Sequence, residues 1–187
     1  MQTQPTLHIP VPSTGCCPPF DPAPWQDREI HWHHKSFVRD HVTCLFHVPL
    51  NMGRVVLKDM ALIEAPGAAP EHPLMLSDER SPWGADLYIE VEKLVPGATM
   101  AEISGTFLAK VFEGRFRDAP VWVDEMKRYV AAKDRTLERL YFGYTTCPKC
   151  AKAYGKNYVV MFAKVEGSAL ADPGSQDLRS RQCAETS

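Results

Sequence analysis

GTFLAKVFEGRFRDAPVWVDEMKRYV, residues 105–130, is the stretch from which the fold is read. Residues 105–113 alternate two bulky faces, Phe107, Ala109, Val111 and Glu113 against Thr106, Leu108, Lys110 and Phe112, which predicts a strand covered on both sides. Gly114 closes it. A helix is expected next. Asp118 suits its N-cap, and Pro120 lies in the first turn, where a missing N–H costs nothing. Trp122, Met126, Tyr129 and Lys133 then recur on one side at steps of three and four. Residues 140–144 and 157–165, rich in Tyr, Phe and Val, read as two more strands. The order over 105–165 is strand, helix, strand, strand.

Upstream, Leu87, Ile89 and Val91 alternate with Tyr88, Glu90 and Glu92, the period of a strand with one buried face, which ends at Pro96-Gly97. Residues 41–48 and 54–63 carry enough Val, Leu and Phe to be expected as two strands joined by the turn-prone PLNMG of 49–53. The proline-rich stretch 64–83 is expected to be loop. At the start, CCPPFDPAPW (16–25) places four prolines in ten residues, which suits an extended arm laid over the domain. Residues 1–15 and 167–187 hold too few large apolar residues to offset the entropy of ordering and are expected to be disordered. One domain over 16–166 follows.

The whole chain, 187 residues with 44% hydrophobic content, is long enough to bury one sizeable core. Its formal charge of -2 leaves no basic excess to neutralise phosphates, which argues against a nucleic-acid partner. No apolar run approaches the ~20 residues that cross a bilayer, and the polar N-terminus lacks a signal-peptide pattern. A cytoplasmic protein with no membrane partner is expected, and its six cysteines are therefore expected as thiols.

The blocks DLYIEVEKLVPG (86–97), SGTFLAKVFEG (104–114), DAPVWVDEMKRYV (118–130), LYFGYTTCPKC (140–150) and NYVVMFAKV (157–165) resemble the second half of a GyrI-like domain. More closely, they are similar to a group of bacterial proteins labelled hydrolase-like, over roughly residues 16–165. The resemblance implies an α+β fold in which two βαββ units form one curved antiparallel sheet, with helices on one face and a concave cleft for a small molecule. It implies either effector sensing or, in some relatives, hydrolysis of reactive small molecules. No helix is evident between the strands of the first unit. A sheet of this form with exposed edges would also pair with a second copy into a homodimer.

GyrI-like sites generally set an acidic residue among aromatics, and two acids compete for that role here. Glu113, at the VFEG turn, is the preferred general base, with the Tyr144 hydroxyl as acid or oxyanion donor; Glu90, Trp122 and Tyr141 are the expected ligand-binding residues. The competing reading makes the acids solvated strand residues and the aromatics core. No GxSxG elbow supports serine catalysis. HWHHKSF (31–37) lacks the i, i+4 spacing that aims two imidazoles at one ion, so its histidines read as surface.

CPKC (147–150) resembles a zinc knuckle but supplies only two of four ligands. Cys16 and Cys17 on the arm are the natural complement, with a histidine such as His33 serving equally beside Cys17. A site of Cys16, Cys17, Cys147 and Cys150 would hold structural zinc and fasten the arm to the last hairpin. Two alternatives stay open. The CxxC could be the centre of a redox or metal-dependent enzyme, which calls for a helix directly after it, where none is expected; or the domain could be a noncatalytic interaction protein.

Overall fold

The computed structural model describes Thr14 and residues 17–166. Apart from Thr14, the segments expected to be disordered (1–15 and 167–187) lie outside the described residues, as does Cys16.

The long first strand, β1 (Arg28–Leu45), organises everything else. It runs antiparallel to β4 (Gly84–Glu90) on one side and to β5 (Met100–Glu113) on the other. β3 (Met75–Ser81) joins β4 to β6 (Leu137–Tyr144), and β7 (Tyr158–Val165) joins β6 to β5. Six antiparallel strands therefore close in the order β1-β4-β3-β6-β7-β5 and back to β1. A two-residue β2 (Val48–Pro49) folds back on the end of β1. The helices are α1 (Met52–Glu64), α2 (Ala119–Ala131) and the short α3 (Pro148–Tyr154) between β6 and β7. Each half reads strand, helix, strand, strand. This is the α+β, GyrI-like arrangement: two βαββ units sharing one curved sheet. The closing β1–β5 ladder removes the open edges on which pairing with a second copy was expected to rest.

Three sequence expectations change. Residues 54–63 form a helix, not a strand: in RVVLKDMALI the buried positions are Val55, Asp59 and Ile63, a spacing of four, and the β-branched Val55-Val56 pair masked that period. Residues 41–48 are only the end of a strand that begins at Arg28. The stretch 64–83 contains β3, whose Leu76, Ser77 and Asp78 are all buried. The missing helix of the first unit is thus α1.

Both long helices pack on the convex side. α1 buries Val55 and Ile63 against Val38, Val42, Leu87 and Ile89; α2 buries Trp122, Met126 and Val130 against Leu108, Phe112, Phe142 and Met161. The concave side is filled with aromatics: Trp32, Phe37, Tyr88, Phe107, Tyr141 and Phe162. Trp32 and Phe37 lie five apart, a spacing that should put them on opposite faces. A register shift between Trp32 and Lys35, with His34 at φ 45°, resets the alternation and turns both inward. The arm lies against this layer. Trp25 meets Phe162 edge-on at 5.7 Å, Phe20 meets Tyr158 at the same distance, and Gln26 Oε1 accepts a hydrogen bond from Val111 N where the β1–β5 ladder ends.

Trp32 is 4% exposed and its ring centroid lies 4.2 Å from that of Phe107. Trp32→Ala is expected to cost about 3–5 kcal/mol, because the closed ring cannot collapse onto the void. The check is a lower urea midpoint at unchanged denaturant slope; a loss under about 1 kcal/mol would contradict this packing.

Candidate functional site

The part of the concave face that the arm leaves uncovered forms a cavity of about 430 Å³, lined by Arg39, Tyr88, Ile103, Glu138, Arg139 and Tyr141, with Glu102, Ser104 and Lys164 at its rim. Strand alternation places these groups together. Arg39 faces inward because its neighbour Val38 packs under α1, and Arg139 and Tyr141 share one face of β6. Arg39 Nη2 donates to Asp86 Oδ2 at 2.8 Å. Arg139 stands 3.7 Å from the buried carboxylate of Asp78, and its Nη1 donates to the Tyr141 hydroxyl at 3.4 Å. With its oxygen accepting from Arg139, the Tyr141 phenol has its own proton to give. Burial pushes the Tyr88 phenol above its ordinary value, against the opposing effect of Arg39, so Tyr88 stays a neutral donor. The carboxylates of the cavity are Glu102, 2.8 Å from His34 Nδ1, and Glu138, 3.1 Å from Lys164 Nζ.

A second cluster sits where the arm reaches the β6–β7 connection. The ligand atoms of Cys17, Cys147 and Cys150 all lie within 4.8 Å of one another. A helix was not expected after the CxxC, yet the motif opens one: Cys147 is the N-cap of α3, and Gly155 ends it at φ 68°. That helix is only seven residues long. It aims Cys150, which is buried, at the arm. Cys147 N donates to Cys17 Sγ at 3.3 Å, and Cys150 Sγ lies 3.2 Å from Thr14 Oγ1. The Tyr154 hydroxyl, one turn beyond Cys150, lies 3.0 Å from Thr14 Oγ1 and donates to the Cys17 carbonyl at 2.5 Å. Hydrogen bonding to the Thr14 hydroxyl is the largest influence on the Cys150 thiol. Bonding to the Cys17 backbone and to the Cys147 and Cys17 thiols follows, and together these bring it down to about 6 against the opposing effect of burial. Three thiols so placed are close enough to bind one metal ion, and the soft donors suit zinc.

The five residues expected around a cleft are not brought together. Tyr141 is in the cavity. Glu90 faces the concave side, half-buried and ion-paired with Lys35, and accepts from Leu74 N at 3.1 Å. Glu113 is exposed at the end of β5, opposite Tyr158. Trp122 is stacked on Phe112 on the convex side. Tyr144 lies there as well, its hydroxyl donating to Glu79 Oε1 at 2.5 Å. His31, His33 and His34 are exposed, the last two inside the bulge of β1. Arg39, Tyr88, Arg139, Glu102, Glu138 and Lys164 were missed. Arg139 and Tyr141 do alternate as one face in LERLYFGY, which is a readable signal; the register shift that brings Glu138 into the lining is not.

The family model described as Bacterial hydrolase matches residues 9–165. Among solved structures, the chain is similar to a hydrolase from Listeria innocua, at 11% identity and a TM-score of 0.55 over 76% of this chain and 92% of that one. It is also similar to an uncharacterized conserved protein from Listeria innocua, at 10% identity and a TM-score of 0.58 over 76% and 93% of the two chains. These likenesses show the fold. No curated protein sequence matches the chain. Among the described residues, no helix is long and apolar enough to cross a membrane.

The Glu79–Tyr144 pair makes a prediction about stability. Burial holds the Glu79 carboxyl above its ordinary value, against the opposing hydrogen bond from Tyr144. The folded value exceeds the unfolded one, so the native protein loses stability as pH rises through this raised value. Glu79→Gln has no proton to lose and stays neutral, so its stability relative to the native protein should improve between about pH 4 and about pH 7. Tyr144→Phe removes the donor and should cost about 1–3 kcal/mol, more at the upper end of that range than at the lower. Paired denaturation curves at the two pH values check both.

Proposed function

The chain belongs to the Bacterial hydrolase family, and from that premise we propose that it binds a small molecule in the concave cavity and hydrolyses it with a cavity carboxylate as general base. The observation that supports this reading is the gathering of donors and acceptors around one space of about 430 Å³, within the range of small-molecule sites. The guanidinium and phenol donors Arg39, Tyr88, Arg139 and Tyr141 come from β1, β4 and β6, with Glu102 on β5 and Glu138 beside Arg139 on β6. The substrate carbonyl oxygen accepts from Tyr141, whose donor strength is raised by the bond it receives from Arg139. Glu138, fixed by Lys164, takes a proton from water as the water oxygen attacks the carbonyl carbon. The protonated acid then returns that proton to the leaving group as the tetrahedral intermediate collapses. An activated ester or a similarly reactive acyl compound fits a site without a built nucleophile.

Screening activated esters against the protein is the direct test. Glu138→Gln should lower kcat by about 100-fold or more, while Tyr141→Phe should lower it by about 10- to 100-fold. Turnover that survives Glu138→Gln unchanged would remove that residue from the mechanism. Glu102→Gln run alongside identifies which carboxylate is used.

The thiol cluster supports a second reading, a structural zinc ion held by Cys17, Cys147 and Cys150 that fastens the arm to α3. Purified protein should contain about one zinc per chain, and chelation should lower its melting temperature and expose the three thiols to a thiol reagent. Full thiol reactivity before chelation would exclude this reading.

A further inference from the structure

We infer that the cavity recognises a carboxylate: the acyl compound it takes carries a second, anionic group, which the Arg39 guanidinium and the Tyr88 hydroxyl hold beside the Tyr141–Arg139 pair. The inference deepens the hydrolytic reading above and rests on this cavity as the ligand site.

Four donors are linked in series across the concave face. Arg39 and Tyr88 stand directly opposite each other on β1 and β4. The Tyr88 ring meets that of Tyr141 edge-on at 5.9 Å, and the Arg139 guanidinium lies 6.0 Å from the Tyr141 ring centroid. Asp86 and Asp78, paired across β4 and β3, anchor the two guanidiniums from behind. Every carboxylate around the cavity is already matched to a cation of its own. Asp86 lies 3.4 Å from His41 Nδ1 as well as accepting from Arg39, and Asp78 accepts from Arg80 Nε at 3.0 Å. Glu102 is met by His34 and Glu138 by Lys164.

The donors are not used up in the same way. A guanidinium carries N–H groups on more than one edge, and Arg39 turns only Nη2 to Asp86 while its side chain stays 48% exposed. Tyr88 is 6% exposed and lines the cavity, yet its hydroxyl has no hydrogen-bond partner among the described residues. A buried hydroxyl left in that state is satisfied by what enters the space beside it. The bond to Asp86 and its charge hold Arg39 above its ordinary value while the charge of Arg139 acts in the opposite sense, so the two cations feel one another and an anion between them relieves that repulsion. Forked guanidiniums with a phenol beside them match a planar monoanion. A cationic ligand would meet like charge there, and a doubly charged phosphate would be repelled by Glu102 and Glu138 on the same lining.

The test uses the full chain and two probes of one shape, benzoate and benzamide, neither of which has an ester to hydrolyse. By calorimetry, benzoate should bind saturably and about 10-fold or more tighter than benzamide; Arg39→Gln should remove that preference, and Tyr88→Phe, which keeps the ring, should weaken benzoate by about 3- to 10-fold. Equal binding of the two probes, or a preference that survives both substitutions, overturns the inference. Turnover then separates the two readings. The mono-4-nitrophenyl ester of glutaric acid should show a lower KM than the corresponding methyl 4-nitrophenyl diester, and Arg39→Gln should erase the difference. Hydrolysis of the neutral diester with an equal KM overturns the substrate class and leaves hydrolysis standing. Selective benzoate binding with neither ester hydrolysed removes the hydrolytic reading and supports carboxylate recognition.

Discussion

The ladder between β1 and β5 is the constraint on which the rest of the molecule depends. It closes six strands into a ring and so divides every strand residue between two environments, a convex side covered by helices and a concave side that only the chain's own arm can cover. Closure also explains the bulge at His33-His34. Without a local slip in β1, Trp32 and Phe37 could not both face inward, and the two largest contributors to that part of the interior would be split across the sheet.

That division decides which residues can share chemistry. A carboxylate and a phenol from neighbouring strands cooperate only if their alternation agrees. Tyr141 and Arg139 agree with Arg39 and Tyr88, and together they line one cavity. Tyr144 is displaced from Tyr141 by three positions and falls on the other face, where its partner is Glu79. The aromatic residues nearest Glu113 in the sequence pattern are therefore spread over two faces of the sheet, and the ionisable groups that do converge come from five strands.

The second βαββ unit was legible because each of its elements carries an unmixed signal: alternation in 105–113, a capped period of three to four after Asp118, and β-rich runs in 140–144 and 157–165. The first unit was not. Its helix carries Val55 and Val56 side by side and buries an aspartate, Asp59, where the apolar stripe should continue. Its strand β1 is broken in pattern by the bulge, so that only its last residues alternate cleanly. The cavity suffered with it, since Arg39 is placed by β1 and Glu138 by a register shift that no local pattern reveals. The thiol cluster was legible in part. Cys17 does join Cys147 and Cys150 across some 130 residues, but the short helix that carries the last two gives no more than a one-turn signal between Pro148 and Gly155.

The arm connects the two candidate sites. Between Cys17 and Arg28 the chain is pinned at both ends, by the thiol cluster and by entry into β1, with Phe20 and Trp25 as the apolar anchors between them. Its prolines at 18, 19, 22 and 24 restrict the free chain and so lower the entropy lost when it is laid down. Two half-buried aromatics are nevertheless a weak hold on ten residues, and among the described residues the buried Trp25 ring nitrogen has no hydrogen-bond partner. The contacts of Cys17 with α3 are thus a further restraint on the arm's position, beside the bond from Val111 to Gln26. Because the arm covers one part of the concave face and the cavity is what it leaves uncovered, the contacts around Cys17 also set the shape of the space in which a ligand would sit.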